Sequence, residues 1–200
     1  MASITEFKSM LYGGGARANQ FVAYINFPSW VSDAQLVGQR TKVLCKAASL
    51  PASLIQNVEV QYRGRQVNFA GERAFQPWTI TIYNDTTTRI RDAFEQWQAR
   101  IQNYTTTNGE TQPQNYQMPL DVYQLDRNGS IIKAYKFINS YPTVIGQIQL
   151  DYDAPNQIEM FDVEFTYDYF TSNKGTDTDG KAFDINVSVD LPFVGTVPLT

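Results

Sequence analysis

A mainly β fold, two packed antiparallel sheets with one flanking α-helix, is predicted by three observations. Apolar and polar residues alternate in short runs, at 21–27, 58–62, 78–83 and 161–169, the period of half-buried strands. Turn residues separate several of these runs, notably Arg63-Gly64 and Asp126-Arg127-Asn128-Gly129. One stretch, 89–102, has the different spacing of an amphipathic helix, with Ile90, Ala93, Phe94, Trp97 and Ile101 on one face.

The elements follow in order. Residues 3–11 form a short helix, with Ser3 and Glu6 as a capping box and Ile4, Phe7, Met10 and Leu11 on a shared face. Gly13-Gly14-Gly15 comes after a helix and leads into a strand, the reverse of a phosphate-binding loop, so it reads as a flexible joint. Residues 21–27 are a strand, 28–40 a loop holding Trp30, and 41–48 a second strand stopped by Leu50-Pro51. A hairpin follows: Val58, Val60 and Tyr62, then Arg63-Gly64, then Val67 and Phe69. Ala70-Gly71 turns the chain again into a strand whose apolar face is Trp78, Ile80 and Ile82. Asp85 and Thr86 to Thr88 offer N-caps for the main helix.

Residues 103–119 make a long polar connection, of a length that is uncommon unless functional or mobile. A hairpin of 120–125 and 130–141 turns at Asn128-Gly129, and its second strand is apolar on both parities. That pattern implies cover on two faces, from the helix or a neighbouring subunit. Tyr141-Pro142-Thr143 reads as a turn, Ile148, Leu150 and Tyr152 as an alternating run, and 159–170 as the last core strand. The expected domain covers 1–171, with the short helix and a loop in 1–19. Residues 172–180 read as a linker and 183–191 as a detached strand.

Composition narrows the function. At 42% hydrophobic and 200 residues the chain can bury one core. A net charge of −4 argues against a general nucleic-acid binder, which needs a basic face. There is no histidine, hence no imidazole base or ligand, and the single Cys45 rules out an internal disulfide. No cofactor, metal or catalytic set is expected. Asp151 and Asp153 flank a turn, and 175–186 lacks two ligands of a calcium loop. The start MASITEFKSM has neither a basic nor an apolar signal region, and no apolar run reaches membrane-span length. A cytoplasmic site of folding is therefore expected. A carbohydrate-binding sandwich is a further reading; Trp78 and Trp97 fall on core faces, leaving only Trp30 for it.

Six segments in consistent order carry a family resemblance: CKAASLP, QYRGRQVNFAGER, WTITIYND, FEQWQARI, NSYPTVIGQIQLDYD and QIEMFDVEFTYDYF. Across most of residues 18–170 the chain resembles the tail tube proteins of contractile-tailed bacteriophages. The resemblance implies a structural virion protein in the tail, assembled in the host cytoplasm, forming hexameric rings that stack into a tube. Its implied partners are further copies, the sheath, baseplate, terminator and tape-measure proteins, and transiting DNA. Secretion- and injection-system tube proteins share the architecture. Within that frame Arg63, Gly64, Arg65 and Arg73 are expected at an inter-subunit or ring-stacking contact, because arginine pairs bidentately with carboxylates; a solvated tip is the alternative. Asp162, Glu164 and Asp168 are expected on one strand face, about 7 Å apart along it. That face is either simply solvated or the wall of the lumen, where fixed negative charge repels phosphates.

Overall fold

The computed structural model describes residues 3–11, 14–153 and 156–174. The strand expected at 183–191 lies outside them. In chain order the elements are α1 (Ile4–Met10), β1 (Phe21–Ile25), α2 (Ala34–Leu44), β2 (Cys45–Ala48), β3 (Ser53–Tyr62), β4 (Arg65–Phe75), β5 (Trp78–Tyr83), α3 (Arg89–Ile101), β6 (Met118–Leu125), β7 (Ile131–Ile145), β8 (Met160–Thr166) and β9 (Tyr169–Lys174).

Seven strands share one antiparallel network that folds into two layers through the long β7. The first half of β7 lies between β6 and β9, and β6 continues to β1. Its second half pairs with β8, which continues to β5 and β2. The bend falls at Asn139, whose φ of 57° is left-handed. The same corner is turned by the chain between β8 and β9, and the two corners are tied together. Asn139 Nδ2 donates to Asp168 Oδ2 at 2.6 Å, and the Asp168 N–H donates to the Ile138 carbonyl at 3.1 Å.

The core sits between the layers. Trp78 of β5 stacks on Phe137 of β7 at 4.6 Å between centroids, and its indole N–H donates to the Ser49 carbonyl at 2.7 Å. Helix α3 closes one end with Ile90, Ala93, Phe94 and Trp97, all buried. The Ser3–Glu6 capping box of α1 and the Asp126 turn, with Gly129 at φ 81°, form as expected.

Six local expectations are corrected. Residues 34–44 are a helix, where a loop and the start of a strand were expected. The β-branched Thr41 and Val43 suggest a strand, but Val37, Gly38 and Thr41 fall on one buried helical face. Gly38 permits that packing, since a Cβ there would lie 2.9 Å from the Ile25 carbonyl. Gly71 makes no turn. It lies inside β4, in a bulge between the pairs Asn57–Ala70 and Ile55–Arg73. Pro142 likewise lies within β7, beside a register break on the edge of the second layer, where no N–H is needed. Residues 147–152 form no strand, and 159–170 is two strands broken at Tyr167 and Asp168. β9 also runs through Ser172 and Asn173 to Lys174, into the stretch expected to be linker.

The two-sided apolar pattern of β7 is met partly within the chain: Phe137 is buried on the core face and Ala134 on the other. The polar connection after α3 is ordered by an Asn103 side-chain turn, a bridge between Gln102 and Gly109, and a 3-10 turn at Pro113–Asn115.

Candidate assembly surfaces

β3 and β4 stand apart as their own two-stranded sheet. Arg63 (φ 49°) and Gly64 (φ 79°) join them in a two-residue turn with both residues left-handed, which matches strand twist. The register pairs Val58 with Phe69, Val60 with Val67 and Tyr62 with Arg65. Directly opposed residues share a face, so Leu54, Val58, Val60, Tyr62, Val67 and Phe69 form one apolar stripe. Each is between 39% and 60% exposed. The opposite face carries Asn57, Glu59, Gln61, Gln66 and Asn68. An isolated hairpin is marginal in water; this one is anchored at its root by Phe75, which packs on Tyr167 and Phe170.

The four residues expected at a contact are not brought together. Arg63 and Gly64 are the tip, with the Arg63 guanidinium 5.3 Å from the Tyr62 ring centre. Arg65 flanks the tip on the apolar face and forms no ion pair among the described residues. Arg73 lies at the root on the polar face, donating to Ser53 Oγ at 2.7 Å. Strand geometry separates it from Arg65 by roughly 25 Å.

The three carboxylates divide as well. Asp162 and Glu164 project from the outer face of the second layer, because Phe161, Val163 and Phe165 between and beside them point into the core. Their cross-strand neighbours are Thr81 and Thr79, and Asp162 Oδ1 accepts from Thr81 Oγ1 at 2.6 Å. Lys46 stands at the margin of this face, with Nζ 5.9 Å from the Tyr83 ring centre. Asp168 belongs to the corner clamp with Asn139, and the expectation of three carboxylates on one strand is corrected accordingly.

Trp30 is not a free sugar platform. Its indole N–H donates to the Asn115 carbonyl, and the Arg100 guanidinium lies 5.1 Å from its ring centre, where a sugar would stack. Arg100 also faces Glu110 at 3.8 Å. The Glu110 carboxyl is held below its ordinary value by the Asn115 side chain, the Gln112 N–H and Arg100. Cys45 is a packing residue: desolvation pushes its thiol up to about 11, against a smaller lowering effect of the Ala47 backbone. Among the described residues no three His, Cys, Asp or Glu side chains gather to hold a metal, and no helix is long and apolar enough to cross a membrane.

Sequence reasoning found the hairpin and its tip but missed the isolation of its apolar face. The signal was present, since Val58, Val60, Val67 and Phe69 have no complementary exposed run beside them in sequence.

Residues 16–173 match the phage tail tube protein family. The tail tube protein gp19 of Enterobacteria phage T4 is 33% identical over 159 residues, covering 79% of this chain and 92% of that protein. The tail tube protein of Serratia phage KSP90 is 26% identical, over 84% of this chain and 95% of its own length. Among solved structures, a chain of the anti-feeding prophage baseplate superposes with a TM-score of 0.59 at 12% identity, covering 81% of this chain and 97% of that one. A chain of an extracellular contractile injection system's sheath–tube complex gives 0.54 at 13%, covering 87% and 99%. The injection-system likeness is one of fold alone, whereas the phage proteins share sequence across the whole domain. The chain therefore belongs to the phage tail tube protein family, and is a structural component of a contractile phage tail.

Proposed function

We propose that the chain closes into hexameric rings that stack into a hollow tube, through which the genome passes. The observation that carries this reading is the uncovered apolar face of the β3–β4 hairpin. Six apolar side chains in one stripe form an exposed patch of the kind that marks a protein interface. A contact between unlike surfaces propagates into a ring or a filament. Arg63, Gly64 and Arg65 at the hairpin tip meet the adjacent subunit or ring, and Arg73 holds the hairpin root in place for that contact. Arg63→Glu with Arg65→Glu should leave a folded monomer that forms no tubes by electron microscopy; normal tubes would overturn this role.

The outer face of the second layer is the lumen wall. Its threonines and the carboxylates of Asp162 and Glu164 offer phosphates repulsion and no cationic hold, apart from Lys46 at the edge. Asp162→Lys with Glu164→Lys should assemble normally but slow genome release. Unchanged ejection kinetics would refute the assignment. Asp168 is omitted from that variant because its carboxylate clamps Asn139. The partners of the tube are the sheath outside it, the baseplate and terminator at its ends, and the tape-measure protein and DNA within. Solved fold relatives come from a sheath–tube complex, a baseplate and a tube-terminating cap, which supports that setting.

A further inference from the structure

Residues 147–152 present a strand sequence with no strand partner among the described residues. Ile148, Leu150 and Tyr152 alternate with Gln147, Gln149 and Asp151, the pattern of a half-buried strand. Among the described residues the backbone from 147 to 150 forms no backbone hydrogen bond, and a turn follows at 152 and 153. Its root is nonetheless fixed. The Gly146 N–H donates to the Asp162 carbonyl at 2.7 Å, and Arg91 donates to the Gly146 carbonyl at 3.0 Å. Ile148 packs against the core. Leu150 is then 79% exposed and Tyr152 wholly so. Local sequence and monomer environment conflict here, and such conflicts mark places where a partner completes the fold.

The hairpin shows the complementary deficit. Among the described residues β4 pairs only with β3, so its outer edge offers a free row of N–H and C=O groups beside the apolar stripe. Three strands with an apolar face are stable where two are marginal. We infer that residues 147–152 of one copy add as a third strand, antiparallel, to the β4 edge of a second copy. Main-chain bonds would hold the two chains, and Leu150 and Tyr152 would continue the stripe of Val67 and Phe69. Charge sets the direction. Antiparallel addition brings the acidic end of the segment, Asp151 and Asp153, to the hairpin tip, where Arg63 forms no ion pair among the described residues, while Arg65 lies with Leu150 and Tyr152 on the apolar face. The inference rests on the tube reading and names the element that receives the hairpin.

The test compares the critical concentration for tube formation, by pelleting and electron microscopy, with the melting temperature of the monomer. Leu150→Ser with Tyr152→Ser should leave the melting temperature unchanged and raise the critical concentration roughly 100-fold, the loss expected for two apolar side chains. Asp151→Arg with Asp153→Arg should impair assembly, as should Arg63→Asp, and combining the two sets should restore it. In a Cys45→Ala background, copies carrying Leu150→Cys mixed with copies carrying Val67→Cys should form disulfide-linked dimers on oxidation. Normal assembly of both segment variants, absence of charge-swap rescue, or a failure to cross-link would overturn this contact. If the hairpin variant still fails in those cases, the tube reading stands. A wild-type chain that remains monomeric at all concentrations would instead overturn the tube reading itself.

Discussion

Phe69→Ser separates folding from assembly. In the monomer Phe69 is 56% exposed and faces solvent with Val58 across from it. By area its covered part is worth about 1 kcal/mol there, which for a domain of this size is about 2–4 °C in melting temperature. In the tube the remaining half of the side chain is covered. Full burial of a phenylalanine is worth roughly 1.5–3 kcal/mol, so about 1–1.5 kcal/mol is still to be gained on assembly. Since about 1.4 kcal/mol is tenfold in an equilibrium constant, the critical concentration should rise about tenfold. Differential scanning of the monomer and pelleting of tubes measure the two quantities on one preparation. A variant that melts many degrees lower would place Phe69 in the fold. One that melts and assembles like wild type would leave the hairpin face without a role in assembly.

The core should respond in the opposite sense. Trp78→Ala removes a side chain 1% exposed and its stack on Phe137, a loss of roughly 3–5 kcal/mol visible in the melting of the monomer itself; a cost under about 1 kcal/mol would show that the layers do not lean on this contact. Cys45 gives a pH signature. Its folded value of about 11 lies above the unfolded 9.0, so its contribution is fully present below pH 9.0 and lost as pH rises through about 11. Cys45→Ala should flatten that alkaline limb. At fixed pH the native thiolate fraction is about 100-fold lower than in the unfolded chain, and iodoacetamide should label the native protein correspondingly slowly. Native labelling at the unfolded rate would contradict the burial.

Periodicity fixed what depends on neighbours in sequence. The faces of α3, the Trp78–Ile80–Ile82 face of β5 and the turns at Arg63-Gly64 and Asn128-Gly129 follow from spacing and from residues that accept positive φ. Helix α2 was misread because strand-forming Thr41 and Val43 outweighed a helical face that only its packing on β1 reveals. Distance along the chain also says nothing of corners. Sequence alternation places Asp168 on the face of Asp162 and Glu164, but the chain turns between layers there, and that carboxylate accepts from Asn139 instead.

By itself the sequence determined the strand periods, the main helix, the absence of imidazole chemistry and the family resemblance. Only tertiary structure decided which alternating runs find partners inside the chain. Val163 and Phe165 find them in the core, while Val60, Phe69, Leu150 and Tyr152 find none among the described residues. The physical reason is that an amphipathic pattern demands one dry face without naming what covers it. Cover is a property of the whole surface, which no single stretch of sequence sets.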